Sequence, residues 1–155
     1  MTEAAQAAKE IEAKRQQASR LLSVLEMAPD LSAHIILRCN DEITPDAVRR
    51  ALRAFTVRAR ARAGAALRYV IVQETTADGR EISAYHVFCN LDAECCRQIC
   101  ARWDLGPYSI RRADPRERET LPPFIFDTSR TKAGRRLFNA SRNIWESGPR
   151  PGESV

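Results

Sequence analysis

Two β-rich runs joined by a tight reversal constrain this chain more than any other feature. Leu67-Arg68-Tyr69-Val70-Ile71-Val72-Gln73-Glu74 leads into Thr76-Ala77-Asp78-Gly79-Arg80, and Ile82-Ser83-Ala84-Tyr85-His86-Val87-Phe88-Cys89 follows. Asp78-Gly79 supplies the residues that tolerate positive φ, so the two runs read as strands of one β-hairpin. Side chains alternate faces along a strand, which puts Ala84, His86 and Phe88 on one side together.

Other elements take their places around that hairpin. Upstream, Ala33 to Cys39 is a short β-rich run. Thr44-Pro45-Asp46 then reads as a helix start, with a cap, a proline at the first helical position and an early carboxylate. Val48, Ala51, Leu52, Phe55 and Ala59 follow at helical spacing, and Gly64 closes the helix. Beyond the hairpin, Leu91-Asp92 opens a second helix with Cys96, Ile99, Cys100 and Trp103 on its buried stripe. Gly106-Pro107 breaks it, and Tyr108 to Arg111 is a last short strand.

The resulting order is strand, helix, strand, strand, helix, strand. This is the split βαβ (βαββαβ) arrangement, so the expected class is α+β, a ferredoxin-like antiparallel sheet with two helices on one face. An added N-terminal helix, Glu3 to Met27, carries Ala4, Ala8, Ile11, Ala18, Leu22 and Leu25 on one stripe, which Arg15 interrupts. Its packing is expected to be weak at the start and firm from Leu21 onward. Pro29 ends it. After Arg112 the texture becomes charged and proline-containing as far as Pro123, which reads as a loop. Phe124-Ile125-Phe126 is an apolar patch expected to dock on the core, and a C-terminal helical segment is expected from Thr131 to Trp145. The expected organisation is an N-terminal helix over 1–29, the domain over 30–146 and a tail over 147–155.

With 155 residues, 44% of them hydrophobic, the chain can bury one real core. The five cysteines are odd in number, and the N-terminal MTEAAQAAKEIEAKRQQ lacks an apolar leader. Reduced thiols in a cytoplasmic, soluble protein are the expectation, and no partnership with a membrane. Cys95-Cys96 and Cys100 invite a zinc reading, with Cys89 or His86 as further ligands, but the spacing fits no strong signature. Cys96 and Cys100 lie on an apolar stripe and read as small hydrophobes.

The hairpin RYVIVQETTADGREISAYHVFCN resembles the metal-binding hairpin of HUH endonucleases, in particular the rolling-circle replication initiators of small phages and plasmids. The later KAGRRLFNASRNIW is similar to their basic Ser-Arg segment. Such an enzyme holds a divalent cation, Mg²⁺ or Mn²⁺, with two imidazoles and a carboxylate or amide, and a tyrosine attacks the scissile phosphate. Carried onto this chain, the resemblance implies Glu74 and His86 as metal ligands. The family's first histidine falls at Ala84, whose methyl group cannot bind metal. His34 could substitute for it if the first strand lies beside the hairpin. No tyrosine stands where the family's nucleophile helix would be. The implied protein, from a phage, plasmid or mobile element, is a degenerate initiator.

The net charge of +5 is dominated by arginine, whose planar fork suits phosphate. One basic stretch holds Arg49, Arg50, Arg53, Arg58, Arg60, Arg62 and Arg68. A second holds Arg130, Lys132, Arg135, Arg136 and Arg142. Few acids are interspersed, which favours phosphate contact over a merely solvated face. The first functional expectation is therefore binding of nucleic acid, single-stranded or hairpin DNA. A second is a phage-type inhibitor or adaptor that engages a host protein complex. A third is an active metal-dependent nickase with a rearranged site, in which Tyr108 or a metal-bound water attacks.

Overall fold

Among the described residues, three local caps start three α-helices. A computed structural model describes residues 2–40, 42–75, 82–114, 116 and 138–141. Thr2 Oγ1 accepts from Ala5 N at 3.1 Å at the head of α1 (Glu3–Met27). Thr44 Oγ1 accepts from Ala47 N at 3.2 Å ahead of α2 (Pro45–Ala63). Asp92 Oδ1 accepts from Cys95 N at 2.8 Å ahead of α3 (Ala93–Cys100). Each such cap satisfies a backbone donor that the helix leaves open, worth about 1 kcal/mol. Gly64 ends α2 with φ of 60°, a left-handed conformation in which a side chain would be strained.

The strands are β1 (Ala33–Arg38), β2 (Tyr69–Thr75), β3 (Ile82–Cys89), β4 (Tyr108–Arg112) and β5 (Phe138–Ala140). They form a single antiparallel sheet in the order β4-β1-β3-β2-β5. The first four stand in the spatial order of a ferredoxin-like βαββαβ domain, so the protein is α+β and of the expected class. The hairpin strands are neighbours, and β1 inserts between β3 and β4. The turn expected at Thr76–Arg80 lies outside the described residues.

Alternation along the strands divides the core in two. Ile35, Leu37, Tyr69, Ile71, Tyr85, Val87 and Cys89 face α2 and α3, where they meet Val48, Phe55, Ala59, Cys96, Ile99, Cys100 and Trp103. The expected α3 stripe is thus the buried one. Val70, Val72 and Phe88 face the other way, against Leu21, Val24, Leu25, Ala28 and Leu31. The buried side chains of α1 lie in its final turns, and Ile11 on its first half is 59% exposed. Leu21 takes the buried place that the periodicity assigns to Leu22, because the sheet contacts a slightly rotated face of the helix.

The C-terminal helix is corrected where the chain is described. Residues 138–140 are a strand, with Val70 opposite Ala140 and Val72 opposite Phe138. Ser141 anchors this pairing: its N donates to Tyr69 O at 2.9 Å, and its Oγ accepts from Tyr69 N at 3.0 Å. The edge of β2 offers unpaired backbone groups, and pairing with it outweighs a weak helical pattern. Phe124-Ile125-Phe126 and the rest of the Thr131–Trp145 segment lie outside the described residues.

The approach to β4 is tightly held. Trp103 Nε1 donates to Arg38 O at 2.9 Å, and Arg38 N donates to Pro107 O at 3.0 Å. A Cβ on Gly106 would lie 2.6 Å from Arg38 O, so only glycine fits there.

Candidate functional site

Glu74 on β2 and His86 on β3 are brought together by register. Glu74 lies opposite Ala84, and Val72 lies opposite His86, so both candidate residues share a face and sit one diagonal step apart. His86 Nε2 is 3.0 Å from Glu74 Oε2. This hydrogen bond, opposed by partial burial, holds the Glu74 carboxyl below the usual glutamate range, and Arg38 adds a smaller attraction.

The chain of contacts continues inward. β1 lies beside β3 with Ile36 opposite His86 and His34 opposite Phe88. His34 Nε2 is 3.0 Å from His86 Nδ1, and the His34 ring stacks on Phe88 at a centroid distance of 4.4 Å. His34 is 1% exposed and His86 5%, while the Glu74 side chain keeps 24% of its surface open. The result is a diagonal line, His34 to His86 to Glu74, running from the core to solvent across three strands. His34 was accessible to sequence reasoning only as a conditional partner, because the neighbourhood of β1 and β3 is a tertiary fact.

The donor set does not fit a divalent cation. The two ring nitrogens of His86 point away from each other, and each meets a different partner. Glu74 and His34 therefore lie on opposite sides of the His86 ring and share no common point. Beside Glu74, where a third ligand would complete a shell, stands Ala84 with its methyl group. Among the described residues no group of three or more His, Cys, Asp or Glu could hold a metal ion. That statement covers Cys89, Cys95, Cys96 and Cys100 as well. All five cysteines are free. Cys96 and Cys100 are packed with Ile99 and Trp103, and burial pushes the Cys100 thiol up to about 12.

Tyr108 is not brought to this line. It lies opposite Leu37 in the register, on the face that α2 and α3 cover. Tyr69 and Tyr85 belong to that same face. Burial pushes the Tyr85 hydroxyl up to about 12. The chain has three tyrosines, and the sheet separates every one of them from His86 and Glu74. A tyrosine on the wrong face cannot attack a phosphate held at Glu74, since the sheet itself stands between.

The candidate arginines divide by environment. Arg49, Arg50, Arg53, Arg60 and Arg62 are exposed on α2, and Arg58 is half-buried on its flank. Arg49 pairs with Asp46, both well exposed. Arg68, counted in the same stretch, is buried and pairs with Asp30, so it belongs to the scaffold. Arg38 and Arg111, which sequence reasoning passed over, stand on the face of His34 and His86 by register. Arg130, Lys132, Arg135, Arg136 and Arg142 lie outside the described residues. The α2 arginines and the Glu74–His86 pair therefore occupy opposite sides of the sheet and do not rim one groove. Among the described residues no helix is long and apolar enough to cross a membrane.

No family model, no curated protein and no solved structure matches this chain.

Proposed function

We propose that this chain binds nucleic acid through phosphate contacts made by α2, on an initiator-like scaffold that does not use a tyrosine to nick. One observation carries the reading: α2 bears six arginines and a single carboxylate, Asp46. On a helix, Arg49, Arg50, Arg53 and Arg60 fall along one outward stripe opposite Val48, Phe55 and Ala59. The exposed Arg49–Asp46 pair is worth at most about 1 kcal/mol, so a phosphate can displace Asp46. The stripe has no aromatic platform for bases, so backbone contact with weak sequence preference is expected.

The kinship with replication initiators is supported by the adjacency of Glu74 and His86 on paired strands. The five free thiols fit a reducing, cytoplasmic setting. The tyrosines on the other face support an impaired or absent nicking reaction.

The test is anisotropy of labelled single-stranded and hairpin DNA at two salt concentrations. Binding should weaken steeply with salt, and Arg50→Ala/Arg53→Ala/Arg60→Ala should lower the log–log salt slope by about one per lost contact. No binding at low salt would end the proposal. Cleavage of single-stranded DNA with Mn²⁺ that disappears in His86→Ala would restore the nickase. Co-purification with a host protein, insensitive to nuclease, would favour the adaptor.

A further inference from the structure

We infer that His34, His86 and Glu74 form a metal-free hydrogen-bonded tie across β1, β3 and β2, standing where the resemblance implies a cation. The inference does not depend on DNA binding by α2, which lies on the other side of the sheet.

Protonation chemistry leads to it. An ionised Glu74 can only accept, so His86 must donate from Nε2 across the 3.0 Å contact. Neutral His86 then has a single lone pair, on Nδ1, and His34 Nε2 lies 3.0 Å from it as donor. Charged His86 has no lone pair, and His34 Nε2 becomes the acceptor. While the Glu74 contact is kept, both ring nitrogens of His86 are engaged in either protonation state, and a metal ion can bind only by displacing a partner. A cation entering from the Glu74 side must break the Nε2 contact, and one entering from the His34 side must break the Nδ1 contact. The first would find only two ligands, His86 Nε2 and the Glu74 carboxylate, and the second would strand a ring nitrogen at a site 1% to 5% exposed.

The surroundings favour the tie as well. His34 is clamped by its stack on Phe88. Leu21, Val24 and Leu25 of α1 pack with Phe88, Val70 and Val72 on this face. Water is kept from the inner hydrogen bond, and Glu74 alone remains partly open. The strands joined are those whose pairing defines the fold: β1 with β3 and β3 with β2. Glu74 and His86 stand at the two positions that the resemblance assigns to cation ligands, and here both are held in the tie with His34.

The chain has two histidines, so a full-length sample labelled with ¹⁵N-histidine shows two rings, assigned by His34→Phe. Long-range ¹H–¹⁵N correlation at neutral pH should show slowly exchanging ring N–H protons on both rings. Titration with Mn²⁺ into the millimolar range should leave both unbroadened, and EDTA should change nothing. In thermal melts Glu74→Gln, which keeps an acceptor for Nε2, should lower Tm less than Glu74→Ala. His34→Phe should lower Tm by several degrees, and less than additively with His86→Phe, because the two lose one shared contact. Broadening of His86 at micromolar Mn²⁺ that Glu74→Gln removes would overturn the inference. So would rapidly exchanging ring protons in the wild-type chain, a result that needs no variant to fold.

Discussion

The two faces of the sheet use the same strands for opposite purposes. Toward α2 and α3, every strand residue between Ile35 and Cys89 in the cluster is apolar, a cysteine or a tyrosine, and two helices cover it. Toward α1, the apolar patch of Val70, Val72 and Phe88 is small, and next to it the strands carry His34, His86 and Glu74. The first face is stabilised by area and shape. The second buries polar groups and is tenable only because each finds a partner. Among the described residues, the polar face meets the end of α1 and the other face meets two whole helices. The thick face is scaffold, and it carries the arginine stripe on its outer surface.

That contrast can be broken by substitution. The largest effect should come from the thick face: Phe55→Ala removes a ring that packs edge-on to Trp103 at 6.5 Å, and should cost about 3–5 kcal/mol in urea unfolding. Leu25→Ala on the other face should cost about 2–5 kcal/mol. If the two cores are separate, the double variant should lose the sum to within about 0.5 kcal/mol. A larger departure would mean that the sheet transmits packing between its faces.

Gly106→Ala tests the rim between the two faces. Its Cβ would meet the backbone at Arg38 O, so a loss of roughly 1–3 kcal/mol is expected, read as a lower urea midpoint. Thr44→Ala should cost about 1 kcal/mol through the lost α2 cap, with no effect on the His34–His86 contact in NMR.

The smallest effects are those of pH, and the two faces should differ in sign. Tyr85 has its folded pKa raised to about 12 from an ordinary 10. The unfolded chain therefore ionises first, and stability should fall as pH rises above about 10. Glu74 has its folded pKa lowered. Its contribution is complete above the unfolded pKa and is lost as pH falls through the folded one. Urea midpoints across pH should show an alkaline loss that Tyr85→Phe removes. They should also show an acid loss that Glu74→Gln reduces.

Much of the candidate site was legible beforehand, for a definite reason. Glu74 and His86 belong to one hairpin, and a short turn leaves little freedom in the pairing, so their adjacency follows from local sequence. The arginines of α2 were legible because helical period separates them from Val48 and Phe55. The separation of Arg68 from that group was not legible, since its partner Asp30 lies 38 residues away. Tyr108 suggests itself by residue type alone, and its face depends on how β4 registers with β1. The strand at 138–140 depends on an open edge that no local pattern records.

By itself the sequence determined the elements: capped helices, the hairpin, the alternation within each strand and the stripe of α3. These are set by contacts over a few residues, where backbone geometry leaves few choices. Tertiary structure alone decided that β1 lies against β3 and joins His34 to His86 across 52 positions. It also decided that the sheet stands between the tyrosines and the glutamate. Which side of a sheet a residue meets, and what waits there, depends on pairing between distant segments that burial of the whole core selects.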